Sequence, residues 1–298
     1  MAKRAATISP SSGDVEVYIA QAKASIAAEL APAAAAVSPF MIEVRFLGGL
    51  TPKQKNAFKS AADRWSRVIV GDLPSVNVDN EVIDDVVILA QGSPIDGVGG
   101  ILGQAGPTRL RPQSAGVAAF LPAKGEMIFD TADLKQMERD GTLNDVITHE
   151  MGHVLGIGTV WTFKSLLKGA GKTNPTFLGK AAMKEYGLLK GATVKPTPVP
   201  VENTGGPGTA DSHWRETVFR NEMMTGFVGE SGNPLSRMTV ASLQDLGYVV
   251  DLNAAEPYSL PNLLVLAEAG LLPAPVARSA RGIVLPNVPI LLPETSLQ

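Results

Sequence analysis

An α+β fold is predicted by three features: an alternating strand pattern that begins at Met41, a well-capped amphipathic helix after it, and a series of short apolar runs that ends in a second helix. In the first strand Ile42, Val44 and Phe46 alternate with Glu43 and Arg45, so one face is apolar. Gly48-Gly49 turns the chain. Thr51 then caps a helix that has Pro52 in its first turn and Gln54 in the third position of a capping box. Phe58, Ala61, Ala62, Trp65, Val68 and Ile69 fall on one face of it. Val86 to Ala90 reads as a buried strand, and Gly92 to Pro112 as glycine-rich and irregular. Gly116 to Leu121 and Met127 to Phe129 read as two more strands. Asp130 to Asp140 reads as a short helix. Thr142, with Asp145 three residues on, caps a helix whose apolar stripe is Leu143, Val146, Ile147, Val154 and Leu155, and Gly156 and Gly158 end it.

The flanks are less regular. Residues 1–38 read as a variable Ala/Ser/Pro-rich leader with one Ala-rich helical stretch from Ile26 toward Val37. Residues 164–210 read as an insertion, with a helix from Leu178 to Leu189 and a Pro/Gly-rich loop from Lys195 to Gly208. A helix is predicted from Arg237 to Leu246. The Pro- and Leu-rich stretch beyond Asp251 gives no assignment, and there is no internal repeat.

Composition narrows the function. The 298 residues suffice for one large domain or two subdomains, and 45% apolar with 18% charged residues is ordinary for a globular protein. A net charge of −3 gives no reason to expect nucleic acid as a partner. With no cysteine, disulfides, thiolate metal sites and cysteine nucleophiles are excluded. Lys3 and Arg4 are not followed by an apolar stretch, so no ordinary signal peptide is read, and no run approaches the ~18 apolar residues of a membrane span. Localisation stays open.

The second helix carries the chemistry, in His149-Glu150-Met151-Gly152-His153. Residues four apart on a helix point the same way, so both imidazoles can reach one metal ion, and Glu150 can address a metal-bound water without being a ligand. A catalytic zinc needs three protein ligands and one open position. The chain contains three histidines, and the third is His213. His149, His153 and His213 are therefore the candidate ligands, unless a carboxylate is the third, and Glu150 is the candidate general base.

His149-Glu-Met-Gly-His-Val-Leu-Gly156 resembles the metzincin signature, in which a glycine turns the chain beneath the metal. The compact form would put a third histidine at position 159, which is threonine here. A long insertion before the third ligand, with Ser212-His213-Trp214, Asn221-Glu-Met-Met224, Ser236-Arg-Met-Thr239 and Asp245-Leu-Gly-Tyr248, resembles the leishmanolysins, most closely their cysteine-free bacterial relatives. The resemblance covers residues 40–251. It implies a zincin fold: a twisted mixed sheet with the catalytic helix in an upper subdomain at 39–163, and a mostly irregular and helical lower subdomain at 164–251. Residues 252–298 would be a C-terminal extension. It implies one catalytic Zn²⁺ and Met224 as the Met-turn residue under it, with Met223 as the rival.

The function expected is peptide-bond hydrolysis by a monomer, with Gly116 to Leu121 as the edge strand along which an extended polypeptide would lie. Tyr248 is a candidate oxyanion donor, although a core aromatic is the commoner role. Asp211 and Glu222 are candidate partners for the ligand histidines, although capping is commoner. Asp96 and Asp84-Asp85 are acidic stretches where calcium could sit, although a turn is the commoner explanation. The rival readings are a zinc hydrolase of a non-protein substrate and a non-catalytic binding protein, against which the retained Glu150 counts.

Overall fold

The computed structural model describes residues 15–30, 38–191, 195–206, 208–226, 231–262, 283–284 and 288–298. Its elements in chain order are β1 (Glu16–Gln21), α1 (Ala24–Leu30), β2 (Met41–Phe46), α2 (Pro52–Val68), β3 (Val76–Val78), β4 (Glu81–Ile83), β5 (Val86–Ser93), β6 (Gly103–Leu110) and β7 (Pro122–Asp130). There follow α3 (Thr131–Asp140), α4 (Leu143–Val154), β8 (Leu167–Lys168), β9 (Thr176–Phe177), α5 (Lys180–Leu189), β10 (Val199–Pro200), α6 (Glu216–Phe219), α7 (Arg237–Leu246), β11 (Ile283–Val284) and β12 (Ile290–Leu291).

The main sheet runs β1-β2-β5-β7-β6-β11, with β12 also on β6. β2, β5 and β7 are parallel, β1 is antiparallel to β2 and β6 to β7, and β11 and β12 run parallel to β6, so the sheet is mixed. One face lies on α2 and α4. Ile42, Val44, Phe46, Val86, Ile88, Ala90, Met127 and Phe129 meet the helices there, in the large core. Val87, of opposite parity in β5, and Ala123, near the start of β7, join the β3–β4 hairpin and Leu292 in a small second core. β5 thus carries apolar side chains on both faces, which is why it reads as a continuous run.

The capping box at Thr51 is present in full: the Thr51 hydroxyl accepts the Gln54 N–H, and the Gln54 side chain returns to the Thr51 N–H at 2.9 Å. Trp65 on α2 is buried and donates from Nε1 to the Thr148 carbonyl at 2.9 Å, locking α2 to α4. Below the sheet, α5 packs on α7. Asp245 of α7 accepts the Ala181 and Ala182 N–H groups, both at 2.9 Å, and so caps α5 from outside.

Several expectations are corrected. Residues 16–21, read as leader, form β1 on the edge of the sheet. Its Val-Tyr-Ile-Ala run is apolar at every position and so carries no alternation signal; Val17 and Ile19 face outward while Ala20 is buried. The helix expected from Ile26 is α1, which starts at Ala24; positions 31–37 lie outside the described residues. The stretch read as irregular contains β6, whose Gly and Pro are poor strand formers; Pro107 is tolerated because the register shifts between it and Arg109.

Gly116 to Leu121, expected to be a strand, is a 3₁₀ segment at Gln113–Ala118 followed by a tight turn. Gly116 and Phe120 both have positive φ, at 64° and 65°, which no strand permits. Thr142 precedes α4 without a side-chain cap. Asp145 instead accepts the Gly232 N–H at 2.5 Å, a link from α4 to the segment after the Met-Met pair.

Candidate metal centre

Two of the three imidazoles owe their placement to helix geometry and the third to a long detour. α4 carries His149 and His153 on one face, with Glu150 beside them, and all three are buried. Gly152, between the two histidines, is where α2 and the Met-Met segment press against α4. A Cβ there would lie 2.7 Å from Met224 Sδ and 2.9 Å from Trp65 Cζ2. Glycine is thus required by close approach rather than by backbone angle.

Below α4 the chain turns sharply. Gly156 has φ of 109° and Gly158 of 77°. A Cβ on Gly158 would lie 2.1 Å from the Ser212 carbonyl oxygen, so the segment that carries the third histidine passes directly over this glycine. Thr159, at the position of the compact form's third ligand, donates from Oγ1 to the His153 carbonyl at 2.8 Å and helps end the helix.

His213 arrives on a strand-like bridge. The Glu202 N–H donates to its carbonyl at 2.8 Å, and the Trp214 N–H donates to the Met224 carbonyl at 2.9 Å. Trp214 is buried against Trp161, with ring centroids 4.8 Å apart, and its Nε1 donates to Thr239 Oγ1 at 2.8 Å. An aromatic anchor in the lower core thus sets the position of the adjacent histidine.

The three Nε2 atoms converge. His149 and His213 are 3.0 Å apart, His149 and His153 3.1 Å, and His153 and His213 2.9 Å. Each opposite nitrogen, Nδ1, faces a carbonyl: Met223 at 2.7 Å for His149, Ile157 at 2.8 Å for His153 and Thr209 at 2.9 Å for His213. A carbonyl only accepts, so each neutral ring keeps its one proton on Nδ1. Three bare lone pairs therefore point at one spot with no hydrogen between them. That arrangement is repulsive unless a cation shares it. A tetrahedral zinc with Zn–N of about 2.0–2.1 Å holds such nitrogens about 3.3 Å apart, close to the spacings here. Among the described residues this trio and Asp72, Asp84 and Asp85 are the groups close enough to hold a metal ion. The acidic trio is already engaged: Asp85 accepts the Met41 and Leu73 N–H groups, Asp84 accepts Ser75 Oγ, and Asp72 accepts Ser38 Oγ.

Electrostatics favour metal over protons. Burial pushes His149 down to about 3, helped by the neighbouring His153, and His153 down to about 4. Burial also holds His213 well below the usual range. All three are neutral and able to ligate near pH 7. Glu150 Oε1 lies 3.9 Å from His149 Nε2, and its buried Oε2 has no hydrogen-bond partner. Burial pushes its carboxyl well above the usual range.

The methionine pair divides its work. Met223 supplies the carbonyl for His149, while the Met224 thioether lies against Gly152, between the two histidines of α4. Glu222 is buried and accepts the Met224 N–H at 2.7 Å and Ser236 Oγ at 2.7 Å. It thereby ties this turn to the start of α7. Asp211 and Glu222 do not reach His213, whose Nδ1 meets Thr209 and Ser212. Tyr248 is fully buried and donates to the Leu155 carbonyl at 2.9 Å, so it secures the end of α4 and is no oxyanion donor.

The leishmanolysin family model matches residues 84–264, more than half of the chain, and spans all three histidines. The chain belongs to the leishmanolysin family. This is a family of zinc metallopeptidases, and the triad is where a family member could bind its metal. Among similar proteins, a leishmanolysin homolog of Crithidia fasciculata is 28% identical over 159 residues, which is 46% of this chain and 23% of that protein. A leishmanolysin-like peptidase of Caenorhabditis briggsae is 45% identical over 49 residues, which is 16% of this chain and 7% of that protein. The matched regions thus span less than a quarter of either relative. No helix among the described residues is long and apolar enough to cross a membrane.

Proposed function

We propose that this protein is a zinc-dependent metalloendopeptidase with His149, His153 and His213 as ligands and Glu150 as general base. The observation that carries the reading is the convergence of three unprotonated Nε2 atoms beside a buried carboxylate oxygen without a partner. Zinc held there would lower the pKa of a water to about 7 and polarise the scissile carbonyl.

The chain's own groups do the rest. The Nδ1–H bonds to Met223, Ile157 and Thr209 hold the imidazoles in the ligating tautomer. Glu150 accepts the proton of the attacking water and delivers it to the leaving amine. Met224 is the Met-turn residue in this reading, because its thioether underlies the helical ligands.

Residues 39–163 would act as the upper subdomain and 164–251 as the lower, with the cleft between them, in a metzincin arrangement. The substrate chain would lie extended along β6, the antiparallel strand that packs on α4. β11 and β12 pair with β6 at Gly103–Gln104 and at Arg109–Leu110.

Metal analysis combined with casein and peptide-library cleavage tests this. Stoichiometric zinc and chelator-sensitive endoproteolysis are expected. Zinc-dependent hydrolysis of esters or other small substrates without any cleavage of casein or peptides would sink the peptidase assignment.

A further inference from the structure

With His149, His153 and His213 read as the ligands, we propose that Glu222 is a positioning residue for two of them. It acts on His149 through a peptide group and on His213 through Trp214.

Glu222 stands just before the Met-Met pair and is 1% exposed. Four donors converge on its carboxylate. One oxygen accepts the Met224 N–H at 2.7 Å. The other accepts the Ser236 N–H at 3.2 Å, the Ser236 hydroxyl at 2.7 Å and the Thr239 hydroxyl. The directions follow from the neighbours. A backbone N–H can only donate. Thr239 Oγ1 takes the Trp214 indole proton, and Ser236 Oγ takes the Thr239 N–H at 3.2 Å, so each hydroxyl keeps its own proton for Glu222. Burial raises this carboxyl above the usual range, and the hydrogen bonds oppose that rise. Each of them brings a proton to the carboxyl, which favours its charged form.

Two of these bonds lead to the metal centre. The Met224 N–H and the Met223 carbonyl belong to one peptide group. Its N–H points at Glu222, and its carbonyl accepts the His149 Nδ1–H at 2.7 Å. A carboxylate on the nitrogen side drives electron density toward the carbonyl oxygen. The carbonyl then draws more strongly on the imidazole proton, which makes Nε2 a better donor to a metal. The arrangement is a carboxylate–histidine pair with a peptide inserted between its members.

The second route is mechanical. Trp214 donates its backbone N–H to the Met224 carbonyl at 2.9 Å and its indole N–H to Thr239 Oγ1 at 2.8 Å. Thr239 in turn donates to Glu222. The tryptophan beside His213 is therefore held at both ends by groups that Glu222 fixes. His153 stands outside the relay, because its carbonyl partner Ile157 belongs to the turn after α4.

The test uses the full-length chain. The imidazole Nδ1–H signals of the metal-free protein are assigned by NMR, and zinc affinity is measured by competition with a chelator. In the wild-type chain the His149 signal should lie downfield of the His153 signal, since only the first bond is charge-assisted. The reverse order would overturn the relay without any variant. Glu222→Gln removes the charge at nearly constant size. It should move the His149 signal upfield, leave the His153 signal in place and lower zinc affinity about 10- to 100-fold. A Glu222 that only braces the fold would lower Tm with the His149 signal unmoved, or shift all three signals together, and either result would overturn the proposal. Thr239→Val cuts the tryptophan route alone, so it should disturb the His213 signal and spare that of His149. A wild-type chain with no zinc affinity would overturn the ligand reading and leave the metal-free signals to decide the relay.

Discussion

α4 and the segment from Gly156 to Thr225 build the same triad by opposite means. α4 positions two imidazoles and the proposed general base through the period of a helix, within five residues. The later segment delivers the third imidazole, and it needs two tight glycines, a stacked tryptophan pair and the Glu222 network to do so. The first device is local and survives small distortions. The second is only as good as the packing of the lower core around Trp214. The difference teaches that a ligand's sequence distance from its partners sets how many other residues must cooperate to place it.

The comparison breaks first at the base. Glu150→Gln should lower peptidase kcat by about 10³-fold with zinc content unchanged, since only proton transfer is removed. Turnover near wild type would take the base assignment away from Glu150. His213→Ala comes next: the protein should keep its helix content by circular dichroism but lose zinc on dialysis. Retained stoichiometric metal would mean that α4 with some other group suffices.

Gly158→Ala sharpens the contrast within the backbone. The new Cβ would meet the Ser212 carbonyl at 2.1 Å in a left-handed conformation, so about 2–3 kcal/mol of stability and a measurable loss of zinc affinity are expected. Gly141→Ala, with φ of 76° but nothing within 4 Å of the Cβ, should cost only about 1 kcal/mol and leave zinc binding alone. Equal losses of zinc affinity in the two variants would mean that the approach to Ser212 is unimportant.

Acid sharpens it further. Metal-free protein should lose stability as pH falls from about 6.5 toward 4 and below, because burial holds His149 and His153 below their unfolded values and the unfolded state gains the protons first. Urea midpoints measured from pH 7 to 4 test this; a flat profile would contradict the buried neutral triad.

The smallest effect is expected at Glu256. Burial tends to raise its carboxyl, but the Arg64 guanidinium at 2.5 Å and the Leu235 N–H outweigh that and hold it below the usual range. The carboxylate form therefore stabilises the fold above about pH 4.5, and this contribution is lost as pH falls through the lowered value. Glu256→Gln should cost under about 1 kcal/mol at pH 7, since the pair is partly solvated, and should blunt the acid dependence. A cost of several kcal/mol would reveal a larger role in joining α2 to the Met224 region.

Much of the upper half was legible because its signals are local. The capping box at Thr51, the alternation in β2 and the apolar face of α2 each follow from side chains within one element. β1 and β6 were not legible: the Val17 to Ala20 run of the one is apolar at every position, and the other carries two glycines and a proline and is held in place by β7. The false strand at 116–121 shows the converse, since its residues form the end of a 3₁₀ segment and a tight turn, with Val117 exposed. In the metal site the imidazoles could be read directly. Their partners could not, because Met223, Ile157 and Thr209 contribute carbonyls that every residue possesses.

By itself the sequence determined which side chains were available for chemistry. It supplies three histidines and no cysteine, with two of the three histidines on one helical face beside a glutamate. Helix period and residue type are local properties, and they need no fold to act. Only the tertiary structure decided that His213 joins the pair, that each ring donates to a carbonyl, that Gly152 and Gly158 sit at close approaches, and that the Met223–Met224 peptide bridges Glu222 to His149. These are distances between segments far apart in the chain, and packing alone sets them.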